Sequence, residues 1–167
     1  MNRRQWMIAG VAAAFSGMAI AQEDPGKAKI GRVCVTVYHA TDGEAKTSDG
    51  KSGVSKETAD RLRKEKSLRF DNYRLLGQDT QALLRSYENW AQPLKPSDEV
   101  LVRFETKGGS IKKAVVLDLE LWLSRKKIVK TDASLERDRP LYVLGPKWRG
   151  GHLIIAVAVL APEPKAD

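Results

Sequence analysis

Apolar residues fall on alternate positions through much of this chain, the period of strands with one buried face. The clearest run is 115–123, where Val115, Leu117, Leu119, Leu121 and Leu123 share one face and Val116, Asp118, Glu120 and Trp122 the other. In residues 32–39, Val33, Val35 and Val37 alternate with Cys34, Thr36 and Tyr38. From residue 100, Val100, Val102 and Phe104 alternate with Leu101, Arg103 and Glu105, and residues 107–110 (Lys-Gly-Gly-Ser) form a hairpin-type connection to the next run. Residues 128–131 and 141–144 predict two shorter strands. Residues 152–160 are apolar nearly throughout, as in a central strand covered on both faces.

Only one segment has clear helix signals. Ser55 is placed to cap a helix over 56–66, with Val54 before it as a staple and Ala59 and Leu62 as a narrow apolar stripe. Residues 70–76 read as a strand. Residues 79–90 fit two structures: a helix begun by Asp79 with Leu83, Tyr87 and Trp90 at helical spacing, or the return of a hairpin through Gly77, Gln78 and Asp79. Local pattern does not separate them, because propensity is weak against tertiary context. Six or more short strands with turn signals between them and one short helix predict a mainly β, antiparallel β-sandwich-like domain. Residues 22–30 are expected as a flexible leader, 31–161 as a single domain containing a polar, glycine-bearing loop at 41–53, and 162–167 as a disordered tail.

The first 21 residues depart from this alternation. Arg3 and Arg4 precede an uncharged, mostly apolar stretch from Trp6 to Ile20, and Ala19 and Ala21 put small residues at the −3 and −1 positions of a cleavage site. The apolar stretch is shorter than the roughly 20 residues that span a bilayer, and Gly10, Ala12, Ala13, Ala14, Ser16 and Gly17 dilute it. It therefore reads as a cleavable signal peptide with no transmembrane anchor in the mature chain. Asn2-Arg3-Arg4-Gln5-Trp6-Met7 resembles the twin-arginine export signal: a polar residue, two arginines, any residue and two apolar ones. The resemblance covers this peptide alone and implies folding before export from a bacterial cytoplasm. An ordinary secretory signal fits the same residues, so both routes stay open. A periplasmic or secreted location is expected, with the mature chain starting at Gln22.

Cleavage of 21 of the 167 residues leaves 146, enough for one domain to bury a core without disulfides. This matters because Cys34 is the sole cysteine, and its place in an apolar run predicts a buried thiol. The formal net charge of +8 falls to +6 without Arg3 and Arg4, and the remaining cations are interleaved with acids. Such a mixed surface serves solubility, so nucleic acid is not an expected partner.

Several chemistries lack their residues. Gly50, Lys51 and Ser52 match the end of a phosphate-binding loop, but the glycine required five positions before Gly50 is Ala45. His39 and His152 are the only histidines, too far apart in sequence for a zinc-ligand pair, and neither metal nor cofactor is expected. Cys34 and His39 would face opposite sides of one strand; Cys34 with His152 remains a geometric option for a nucleophile and base. Asp118 and Glu120 would project from one face roughly 7 Å apart. They could serve a hydrolase or, more simply, pair on a solvated sheet face with Arg103, Lys127 or Lys130.

The most distinctive mature segment is the turn Lys147, Trp148, Arg149, Gly150 and Gly151, which sets an aromatic between two cations. It offers a candidate binding surface; alternatively Trp148 folds back over one end of the core. Arg61, Arg63, Lys64 and Lys66 on the helix are a weaker candidate. The function expected is therefore a non-enzymatic interaction or structural module of the bacterial envelope. A binder of anionic glycan or lipid through the basic-aromatic turn is the alternative, and a carboxylate-dependent hydrolase a second one. Intact-mass measurement of the exported protein should give a chain that begins at Gln22; a chain retaining Met1 would refute the cleavage.

Overall fold

The computed structural model describes residues 23–43, 53–109 and 112–163. The export signal and the Gly50-Lys51-Ser52 stretch lie outside the described residues, as do Ser110 and residues 164–167 of the expected tail. The chain is mainly β, with strands β1 (Lys29–Thr41), β2 (Asn72–Leu84), β3 (Asn89–Ala91), β4 (Val100–Gly109), β5 (Ala114–Leu123), β6 (Lys126–Glu136), β7 (Leu141–Trp148) and β8 (Gly151–Leu160). Helix α1 (Lys56–Lys64) is followed by a short 3-10 turn at Lys66–Leu68. The strands form two antiparallel four-stranded sheets, the first in the order β2-β1-β8-β7 and the second in the order β3-β4-β5-β6.

The alternation read from the sequence dictates how the sheets meet. Val33, Val35 and Val37 of β1 and Leu153, Ile155, Val157 and Val159 of β8 face Val102 and Phe104 of β4 and Leu117, Leu119 and Leu121 of β5 in one continuous core. This β-sandwich-like stacking is what two one-sided sheets require. The prediction for β8 holds as well: Ile154, on its other face, is buried in a second cluster with Ala40, Leu62 and Leu68. Ser55 caps α1 through the Thr58 amide, and buried Ala59 and Leu62 are the stripe that seats the helix on the outside of the first sheet. Tyr38, Phe70, Tyr73 and Tyr142 complete that contact.

Residues 79–90 are neither a helix nor the return of a hairpin at Gly77. Strand β2 runs unbroken through Gly77 to Leu84. The glycine is needed for close approach: a Cβ there would run into the Pro93 carbonyl oxygen. Asp79, instead of capping a helix, accepts hydrogen bonds from the Gln92 amide at 2.8 Å and from Lys95 at 3.0 Å, tying the loop before β4 onto β2. Part of the segment expected as a leader carries regular structure, and Lys29 and Ile30 already belong to β1. Pro25–Lys27 form a 3-10 turn capped by Asp24, whose carboxylate accepts from the Tyr87 hydroxyl at 2.5 Å. The Arg85 and Ser86 amides donate to the Ala28 and Gly26 carbonyls.

Burial of Cys34 needs correction. Its thiol lies half-buried on the outer face of the first sheet, because the valines on either side take the inner positions. Helix α1 shields the Tyr38 and Ala40 end of that face. The Gln78 amide donates to Cys34 Sγ at 3.1 Å.

The two clusters can be tested separately. Leu117→Ala and Leu62→Ala should each lower unfolding free energy by about 2–5 kcal/mol in urea titrations, since both side chains are fully buried. Only the second should increase amide exchange selectively in α1.

Candidate functional site

The turn picked out by its composition closes the β7–β8 hairpin. Lys147 pairs with His152 and Trp148 with Gly151, leaving Arg149 and Gly150 as a two-residue loop. Both have positive φ, 44° and 80°, the backbone of a hairpin turn whose twist matches its strands. Gly151 allows a second close approach: a Cβ there would strike the Ala40 carbonyl oxygen and lie 2.5 Å from His39 Nε2. The hairpin tip therefore presses directly on the end of β1.

Trp148 folds back over the core. It is half-buried against the main cluster, and its indole N–H donates to Glu99 at 2.7 Å. The His39 ring meets it edge-on at 5.3 Å, with His39 Nε2 hydrogen-bonded to the Trp148 carbonyl at 3.0 Å. The Arg149 guanidinium lies over the indole at 4.3 Å from its centre, a cation–π contact. Lys147, Arg149 and Gly150 are exposed, and among the described residues neither cation pairs with a carboxylate. Beside the tip lies an open pocket of about 450 Å³, whose wall includes Phe70, Lys147, Trp148, Arg149 and His152 and one acid, Asp42. Phe70 contacts the His152 ring at 5.3 Å and also packs in the cluster that seats α1, so the helix and the hairpin tip border one surface.

The helix cations are more engaged than those of the tip. Arg61 pairs with Glu57 at 3.2 Å. Arg63 pairs with Asp60, lies over Tyr73 and donates to the Asp71 carbonyl.

Asp118 and Glu120 sit on the outer face of the second sheet and pair with the three expected cations, but that face is not open to water there. They are the two buried charged residues among those described, 8 % and 5 % exposed. Neighbouring long side chains enclose them. Arg103 bonds Asp118 at 3.3 Å and also bonds Glu105 and Glu88. Lys127 and Lys130 reach Glu120 at 3.0 and 3.2 Å, and the Trp122 indole N–H donates to it at 3.1 Å. The Lys127 hydrogen bond leads in pulling the Glu120 carboxyl down to about 2; burial opposes it, and Lys130 and Trp122 reinforce it. A general acid needs the opposite shift, so Glu120 is placed as an ion-pair anchor.

Cys34 and His152 do not come together. Cys34 pairs with Ala158 and Ala40 with His152, which separates the two side chains by six positions along adjoining strands, roughly 20 Å. Among the described residues, no group of three or more His, Cys, Asp or Glu side chains is placed to hold a metal ion, and no helix is long and apolar enough to cross a membrane. The chain matches none of the protein-family models, curated proteins or solved structures with which it was compared.

Because Glu120 titrates well below its ordinary 4.5, its stabilising effect is fully present above that pH and is lost as pH falls toward about 2. Urea midpoints measured from about pH 5 down to about pH 2 should fall more steeply for wild type than for Glu120→Gln. Parallel slopes would remove the ion-pair account.

Proposed function

We propose that this chain is an exported, non-enzymatic interaction module of the bacterial envelope, and that it meets its partner through Lys147, Arg149, Gly150 and Gly151 at the β7–β8 tip. One observation carries the reading: two exposed cations without carboxylate partners stand on a hairpin whose supporting residues are all fixed. Trp148 anchors, Gly151 seats the tip on β1, Lys147 stands exposed, and Arg149 lies exposed over the Trp148 indole. A hairpin backbone that is already held in place loses little entropy on binding, which favours such a surface for recognition. Unpaired positive charge selects a partner with acidic groups.

A second reading, a binder of anionic glycan or lipid headgroup, draws on the pocket beside the tip. Its Phe70 and His152 rings and the neighbouring Arg149 suit a ligand with an apolar body and an anionic group. Lys64 at the end of α1 and Lys66 in the 3-10 turn after it would extend that surface.

Trp148→Ala is a poor probe, because it removes a core contact and the Glu99 hydrogen bond along with any binding role. The charge-reversed pair Lys147→Glu and Arg149→Glu changes exposed side chains instead. Envelope proteins captured by wild type should be lost with the doubly reversed variant, while its unfolding free energy in urea falls by no more than about 1 kcal/mol, the scale of the lost Arg149–Trp148 cation–π contact. If the anionic-ligand reading holds, wild type should bind phosphatidylglycerol vesicles or an acidic polysaccharide, with affinity falling steeply from low to moderate salt and at least about tenfold in the variant. Equal capture and equal vesicle binding by both proteins would refute the tip as the contact.

A further inference from the structure

The second sheet carries a different surface on its outer face, on the other layer of the fold from the hairpin tip. Strand register lines up Trp90, Arg103, Glu120 and Lys130 across β3, β4, β5 and β6. In the adjoining row, Leu101 of β4 lies opposite Trp122 of β5. Residues 101, 103, 120 and 122 therefore share the face to which Trp90 belongs. The indoles meet at 6.0 Å between ring centres and 53° between planes. Trp90 is 38 % exposed, high for so large an apolar side chain next to a second one.

Both rings are held in orientation. The Trp90 indole N–H donates to Glu88 at 3.4 Å, and that of Trp122 to Glu120 at 3.1 Å. Glu88 is bonded in turn by Arg103, and Glu120 by Lys127, whose ammonium lies 5.2 Å from the centre of the Trp122 ring. The apolar patch is thus rimmed by groups that can donate and accept hydrogen bonds. The rim charges satisfy one another, since Glu88 faces Arg103 and Glu120 faces Lys127 and Lys130.

We propose that this face binds an uncharged glycan, with a pyranose ring lying on Trp90 against the edge of Trp122 and its hydroxyls meeting Glu88, Arg103 and Lys127. Charge complementarity chooses the ligand class. A charge-compensated rim offers little to an ion, whereas the alternating donors and acceptors of a sugar match it. A pyranose also presents a flat C–H face, which two fixed indoles can cover without first paying to order themselves. This inference is independent of the hairpin-tip proposal, because it uses other residues on the other sheet.

The test titrates the full chain with three neutral hexasaccharides (cellohexaose, chitohexaose and maltohexaose), following tryptophan fluorescence and heat of binding at low and moderate salt. Saturable binding of at least one of them is expected, changing less than about twofold with salt and weakening about tenfold or more in Trp90→Ala. Trp90→Tyr should restore part of it, and Arg149→Glu should leave it unchanged. Urea midpoints of the Trp90 variants verify that the fold persists. Failure to bind any of the three sugars overturns the proposal. So does equal binding by Trp90→Ala, or a self-association abolished by Trp90→Ala, which would make the face a contact between copies. Loss with Arg149→Glu alone would assign the sugar to the tip instead.

Discussion

Phe104, Leu117 and Leu119 of one sheet and Val35, Val37 and Ile155 of the other exclude water from the same space, and the remaining features take their positions from that contact. Each sheet has a single dry side until they stack, so neither is stable without the other. Once they stack, the second face of every inner strand is assigned by alternation. That places Asp118 and Glu120 on one outer surface, and Tyr38 and Ile154 on the other, where α1 covers them. The two candidate contact surfaces are by-products of this division. One lies at the end of a hairpin in the first sheet, the other on the outside of the second.

The parts of this arrangement that were legible in the sequence are those in which a strand's two faces differ in chemistry. Residues 115–123 and 152–160 could be read from period and composition alone, and so could the Ser55 cap with its Leu62 stripe. The first part of strand β2, residues 72–76, was legible, but its continuation from Gly77 to Leu84 was not, because the determinants of that half lie elsewhere in the chain. Gly77 and Asp79 look like turn residues until the 92–95 loop arrives to occupy the space one leaves and to donate to the carboxylate of the other. Cys34 misled for a related reason: an apolar neighbourhood in sequence becomes two different environments once the strand alternates.

The sites show the same limit. The hairpin tip was visible because its residues are consecutive, and two of its features follow from glycine geometry. The pocket beside it needs Phe70, more than seventy positions earlier in the chain, and no local pattern points there. Trp90 and Trp122 are likewise joined only by the register of β3, β4 and β5. Pairing of Asp118 and Glu120 with Arg103, Lys127 and Lys130 was foreseeable from strand spacing; their enclosure was not, because it depends on how long side chains lie down over a sheet.

The outermost strands have a bearing on how these molecules coexist. Strand β6 ends the second sheet with Lys126, Lys127 and Lys130 exposed along it, and β7 ends the first with Pro146 in an irregular stretch between Leu144 and Lys147. A free strand margin is a template on which another chain can add itself, and clustered ammonium groups or a residue lacking an amide hydrogen spoil that template. Another copy meeting the margin at β6 or β7 would have to crowd lysine against lysine, or fit a ladder around a proline, before its sheet could join this one.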